Sequence, residues 1–221
     1  MKKTKVFIAC DTTNLVKVKK IINQSKTNKI KIGYKFGLEF MNSKNGRAFL
    51  AKLRKKIIFV DLKLNDTVNT MLSAVKALKD IKINYLTVHI SSGLAALKAV
   101  KKISGPTRIV GVTTLTSLNN NDLKLIGYNK SVKNLVAHQA KLAKKANLDA
   151  LVCSPYEVSA VRKIFKKEII TPGVQIGKKN YDQKRSMEAK KVNSDWLVIG
   201  RAITARGNIK KNIQNLIEKL R

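Results

Sequence analysis

The chain has 221 residues, 44% of them hydrophobic, with 46 Lys and Arg against 13 Asp and Glu and a formal net charge of +33. That length suits one large domain, 1–221, and α/β barrels of this size are ordinary; no apolar run approaches the roughly 18 residues of a membrane span, so no membrane partner is expected. The charge alone suggests a nucleic-acid partner, but the lysines are spread over the whole chain and aromatics are only 5%, which argues against one and leaves a diffuse positive field able to draw in an anionic substrate.

The first ten residues begin like a secretory signal, with lysines followed by Val6-Phe7-Ile8-Ala9-Cys10. The apolar part is too short for the roughly 7–15 residues of a signal's core and runs straight into Asp11. It reads as a first strand in a cytoplasmic protein. Cys10 and Cys153 both sit at the ends of apolar runs, as buried free thiols do more often than a disulfide pair.

Seven further apolar runs follow, so that the predicted strands are 6–10, 30–33, 57–62, 85–90, 108–113, 149–153, 169–173 and 196–200. Helix-like segments alternate with them. Residues 131–145 are amphipathic through Val132, Leu135, Val136 and Leu142, and the last helix carries Ile209, Ile213, Leu216, Ile217 and Leu220 on one stripe. Alternating strand and helix patterns imply parallel pairing with crossover helices. Eight such units predict a single (β/α)8 barrel. An open doubly wound sheet is the alternative, but no G-x-G-x-x-G follows any strand.

The densest chemistry lies at the third strand. Residues 59–70 read Phe-Val-Asp-Leu-Lys-Leu-Asn-Asp-Thr-Val-Asn-Thr. In an extended chain residues two apart share a face, so Asp61 and Lys63 point the same way at the strand's end. Asp66 comes one short turn later and is expected to open a helix with Val68, Met71, Leu72, Val75 and Leu78 at helical spacing, sharing its first face with Thr70. Caps and one more surface lysine are the plainer reading. Charges ending a buried strand must, however, pair or face a cavity. At an effective dielectric of about 20, two carboxylates roughly 4 Å apart repel by about 4 kcal/mol, and a lysine between them relieves this.

In a barrel the site lies at the C-terminal ends of the strands. Those ends offer Asp11 after strand one, Lys31 on strand two, Asp61 and Lys63, His89, then Thr113, Thr114 and Thr116, Ser154-Pro155, Thr171-Pro172-Gly173, and Gly200-Arg201. His89 could line a pocket or be a satisfied core histidine; His138, within an amphipathic helix, reads as structural. Gly200-Arg201 combines close backbone approach with a forked donor, as an anion site needs. The long loop 173–185 beside it reads as a lid or binding loop. No His, Cys and carboxylate cluster has metal-ligand spacing, and no Ser or Cys has an obvious triad.

Asp61-x-Lys63-x-x-Asp66 resembles the Asp-x-Lys-x-x-Asp signature of the orotidine 5′-phosphate decarboxylase family. Matching stretches continue in order: Ala9-Cys10-Asp11, Lys31-Ile32-Gly33, Thr87-Val88-His89, Leu115-Thr116-Ser117, Val152-Cys153-Ser154-Pro155, Thr171-Pro172-Gly173-Val174, Asp182-Gln183-Lys184-Arg185 and Gly200-Arg201-Ala202-Ile203-Thr204. The resemblance implies decarboxylation of orotidine 5′-monophosphate to UMP, without metal or cofactor, in a homodimer. It implies Lys63 as proton donor to C6 of the pyrimidine, with Lys31, Asp61 and Asp66 completing the charged array and Asp66 reaching into the neighbour's site. Asp11 and Lys31 would hold the ribose and Thr116 the nucleotide, and Thr70 is a further substrate-binding candidate. By the same resemblance Gln183, Gly200 and Arg201 would hold the phosphate end, and Gln175 would lie near it. Two positions depart from the family's usual pattern, Val68 in place of Pro and Gln175 in place of Arg; Lys178 or Lys179 are candidates to compensate the second. The nearest rivals are magnesium-dependent sugar-phosphate decarboxylases and aldolases of the same barrel type, which resemble one another in carrying Glu at the end of strand two, where this chain is expected to carry Lys31.

Overall fold

Eight parallel strands close into a barrel in the computed structural model, which describes residues 5–175, 187–189, 192–205 and 207–220. In chain order the elements are β1 (Lys5–Ala9), α1 (Leu15–Gln24), β2 (Lys31–Gly37), α2 (Leu38–Met41), α3 (Gly46–Lys52), β3 (Ile58–Leu64), α4 (Val68–Ala77), β4 (Tyr85–His89), α5 (Gly93–Ile103), β5 (Arg108–Val112), α6 (Asn120–Leu125), α7 (Val132–Lys145), β6 (Ala150–Val152), α8 (Val158–Ile164), β7 (Glu168–Thr171), β8 (Val174–Gln175), β9 (Met187–Glu188), β10 (Trp196–Ile199), α9 (Arg201–Thr204) and α10 (Ile209–Lys219). The barrel runs β1-β10-β7-β6-β5-β4-β3-β2 and back to β1. Strand and helix alternate as the apolar periodicity predicted.

The strands are covered on both faces, as parallel strands under helices must be. Val6, Ile8, Val60, Leu86, Ile109, Leu151, Ile169 and Leu197 face outward and pack with helix residues such as Val18, Ile21, Val100, Val136, Ala140, Ile213 and Leu216. Phe7, Phe59, Tyr85, Val110, Ala150, Ile170 and Trp196 form the separate inner cluster. The Phe7 ring stacks on Trp196 with centroids 4.0 Å apart. Gly33 makes room for it, since a Cβ there would lie 2.5 Å from a Phe7 ring carbon. At the N-terminal edge Glu168 accepts from Lys5 at 2.5 Å, and from Tyr85 and Arg108 at 2.8 Å each. Among the described residues these side chains fill the barrel's interior and its N-terminal edge.

The helices begin where the sequence supplies caps. Asn14 accepts from Lys17 N, Ser131 from Asn134 N and Asn208 from Lys211 N. In α7 Leu135 and Val136 are buried as expected, and His138 lies on the exposed face. Both cysteines are buried and neither forms a disulfide. Burial, then neighbouring Asp11, pushes the Cys10 thiol up to about 12.

Two expectations are corrected. Strand two does not end near Gly33; it begins at Lys31 and runs on to Gly37, because Tyr34 and Phe36 keep packing outward beyond the glycine. The segment after strand seven is not wholly irregular either: β8 pairs with β9 in parallel, Val174 with Met187 and Gln175 with Glu188.

Candidate active site

The extension of β2 decides which lysine reaches the open end of the barrel. Lys31 pairs in register with Lys5, at the N-terminal edge, and is exposed. Lys35 lies four residues further, about 13 Å along the strand at roughly 3.3 Å per residue, in register with Ala9 and Phe59. Lys31, assigned from sequence to both the charged array and the ribose, is thus at the wrong end. The two share parity along the strand, so alternation could not tell them apart; only the strand's true length does.

Lys35 Nζ lies 3.0 Å from Asp11 Oδ1 and 3.4 Å from Asp61 Oδ2. Lys63 Nζ lies 2.9 Å from the same Asp61 oxygen. Four charges thus run across β1, β2 and β3 in the order Asp11, Lys35, Asp61, Lys63. Burial alone would raise the Asp61 carboxyl, but the Lys35 and Lys63 ammoniums outweigh it and hold Asp61 below the usual carboxylate range. Burial likewise works against the Lys35 ammonium, and Asp61 and Asp11 more than offset it, so Lys35 stays charged. Gly37 faces the pair, where a Cβ would meet Asp11 Oδ1 at 3.1 Å and Lys35 Nζ at 3.4 Å.

Lys63 reaches Asp61 through a distortion of β3. From Val60 to Leu64 the strand takes four steps, whereas its partner β4 takes two, from Leu86 to Val88. Lys63 carries φ 50, left-handed backbone that ordinary residues rarely adopt. Its N–H donates to Thr87 Oγ1 at 2.8 Å, and the Thr87 hydroxyl donates to Asp61 Oδ1 at 3.1 Å. The two-residue spacing thus does bring Asp61 and Lys63 together, but by a bulge rather than plain alternation.

The charged row borders a cavity of about 320 Å³ at the C-terminal mouth. Asp11, Lys35, Asp61 and Lys63 line one side; Thr114, Leu115 and Thr116 line another; Pro172, Gly173, Val174, Gly200 and Arg201 complete the rim, with Cys153 in the wall. Gly173 takes φ 76 where the chain turns over the mouth. Thr116, Gly200 and Arg201 are therefore where the strand-end reading put them. Thr114 is held from behind, its N–H donating to Gln139 Oε1 at 2.8 Å.

Other expectations are not met within the chain. Asp66 does not open the helix: Thr67 is the N-cap of α4, and the exposed Asp66 carboxylate accepts the Thr67 amide at 2.7 Å. Asp66 makes no ion pair to Lys63 among the described residues. Thr70 is exposed, with its hydroxyl 3.1 Å from that of Thr67, and does not line the cavity. Ser154 is turned to Glu157, to which its N–H donates at 3.0 Å. His89 is half-buried; burial and then Lys63 push it below its ordinary value, so it is neutral at pH 7. Gln183, Lys178 and Lys179, and the side chain of Gln175, lie outside the described residues. Lys35 and Thr87 are the site residues that the strand-end reading missed. Among the described residues no group of His, Cys, Asp and Glu could hold a metal ion, and no helix is long and apolar enough to cross a membrane.

A closed barrel with ionised side chains gathered over a cavity at its C-terminal mouth defines a (β/α)8-barrel enzyme. Comparison with known proteins narrows the class. A family described as Orotidine 5′-phosphate decarboxylase / HUMPS family matches residues 4–216. The chain is 38% identical over 224 residues to an orotidine 5′-phosphate decarboxylase of Wolbachia sp. subsp. Brugia malayi, covering 97% of each chain. It is 36% identical over 237 residues to that of Wigglesworthia glossinidia brevipalpis, covering 100% of this chain and 99% of the other. The crystal structure of orotidine 5′-phosphate decarboxylase from Lactobacillus acidophilus superposes with a TM-score of 0.82 at 27% identity, covering 98% of both chains. The chain belongs to the orotidine 5′-phosphate decarboxylase / HUMPS family.

Proposed function

We infer that this protein decarboxylates orotidine 5′-monophosphate to UMP and CO2, the last step of de novo UMP synthesis. The observation that carries the reading is Asp61 held ionised between Lys35 and Lys63 at the cavity wall. Breaking the bond from C6 to the carboxylate leaves its electron pair on C6 as CO2 departs. The Lys63 ammonium stabilises that developing charge and then gives C6 a proton; solvent recharges the amine. Asp61 beside the substrate carboxylate raises the ground state. Enzymes lower barriers by roughly 8–23 kcal/mol, and remote binding of the phosphate contributes to this one.

Lys35 takes the place in the array that Lys31 was expected to fill, and with Asp11 it holds the ribose. Thr116 contacts the nucleotide. Gly200 and Arg201, with Gln175 and Gln183, take the phosphate. The protein works as a cytoplasmic homodimer in which Asp66 and Thr70, both exposed on their own subunit, complete the partner's site. The magnesium-dependent reading is less well supported: Asp61 already carries two ammoniums, and a charged lysine cannot ligate a hard cation.

The test is the fall in orotidine 5′-monophosphate absorbance with EDTA present. Turnover is expected to persist in the wild-type chain and to fall at least about 10³-fold in Lys63→Ala, on the scale of a lost general acid, with UMP still bound. Turnover abolished by EDTA would overturn the metal-free reading. Near-wild-type turnover in Lys63→Ala would overturn the assignment of the proton donor.

A further inference from the structure

Thr87 is fully buried on β4 and touches both halves of the Asp61–Lys63 pair. A threonine hydroxyl has one hydrogen to give and lone pairs to accept with. Here the hydrogen goes to Asp61 Oδ1 and a lone pair takes the Lys63 N–H. The accepted bond falls where the backbone is least comfortable. Asp61, Leu62 and Lys63 have no partner in register on β4, and Lys63 sits at φ 50. A non-glycine residue persists in such a conformation only when its surroundings over-determine it. The Thr87 side chain supplies a bond where the ladder supplies none.

We propose that Thr87 is a positioning residue for the decarboxylation, its single hydroxyl fixing the Lys63 backbone turn and the Asp61 carboxylate together so that the ammonium stands over the cavity. The proposal rests on Lys63 being the proton donor. Without the hydroxyl, the bulge loses the bond that orients it, and Asp61 loses a donor that favours its ionised form. The charged and titratable groups around Asp61 are Lys35 from β2, Lys63 from β3, Asp11 after β1 and His89 at the end of β4; none of them replaces the Thr87 bond to Oδ1.

Thr87→Val keeps the shape and removes both bonds. Its kcat is expected to fall about 10- to 100-fold with KM within about 3-fold, because small misplacements of a reacting group are costly. The acid limb of its kcat profile moves to higher pH, as Asp61 protonates more readily. Thr87→Ser is expected to recover kcat to within about 3-fold of wild type, by restoring the hydroxyl. An unchanged kcat in Thr87→Val, or an equal loss in Thr87→Ser, overturns the proposal. Should Thr87→Val fail to fold, hydrogen exchange on the wild-type chain decides: a protected Lys63 amide supports the bond, and exchange as fast as at exposed Asn65 overturns it. Lys63→Ala assayed alongside separates the two claims. Surviving turnover there removes the donor and this proposal with it, whereas a dead Lys63→Ala beside an unaltered Thr87→Val removes this proposal alone.

Discussion

Lys35 and Lys31 differ by four positions on one strand and by everything in their surroundings. Lys35 is flanked by two carboxylates, and Lys31 is exposed at the far edge. Lys35→Ala leaves Asp61 with one ammonium instead of two and is expected to lower kcat/KM by at least about 10²-fold, the scale of breaking a buried charge pair. Lys31→Ala is expected to leave kcat and KM within about 2-fold, as surface changes do. Steady-state kinetics on the two variants checks both. Asp61 makes a second prediction, in pH. Its carboxyl titrates lower in the folded chain than unfolded, so its contribution to stability is full above the ordinary carboxylate value of about 3.9 and is lost as pH falls through the lower folded value. Urea midpoints of wild type and Asp61→Asn, measured from pH 7 down to about 3, are expected to converge toward the acid end.

At the scale of elements, β2 and β3 carry the site in different ways, β2 by its length and β3 by its bulge. β2 is straight and long enough to lift Lys35 to the mouth, and it carries Gly33 where the inner aromatic layer needs space. Gly33→Ala would drive a Cβ into the Phe7 ring, which is stacked on Trp196 and cannot retreat. That overpacking is expected to lower the unfolding free energy by about 1–3 kcal/mol, measured by urea denaturation, and to disturb the array little. β3 carries two extra residues relative to β4, and this is what folds the Asp61–Lys63 step back on itself. The apolar run 57–62 announced a buried strand ending in charge. Nothing in that run announced the bulge, because it arises from mismatch with a neighbouring strand 20 or more residues away in sequence.

For the whole molecule, the exposed Asp66 and Thr70 stand at the start of α4, apart from the chain's own array. The shared-site proposal makes a concentration-dependent prediction. Lys63→Ala and Asp66→Ala homodimers are each expected to be inactive, and mixing them with subunit exchange is expected to restore up to about a quarter of wild-type turnover, since half the subunits pair as hybrids and one site in each hybrid is intact. No recovery after exchange, confirmed by differently tagged subunits, would place Asp66 outside the partner's site. The net charge of +33 acts at this scale too. Spread over the exposed faces, it gives a diffuse positive field that is expected to attract an anionic substrate to the molecule as a whole.

Local pattern in the chain was sufficient for alternation of strand and helix, the barrel, the burial of both cysteines and the placing of Thr116, Gly200 and Arg201 at the open end. Each of these depends on periodicity or on the residues just past a strand's last apolar position, which are properties of neighbours in sequence. The choice of Lys35 over Lys31, the left-handed turn at Lys63, the bond from Thr87 and the exposure of Asp66 were decided only when β1, β2, β3 and β4 lay side by side. Register between strands is a long-range quantity, set by which aromatic rings fill the barrel and which charges must meet, and no single stretch of the chain contains it.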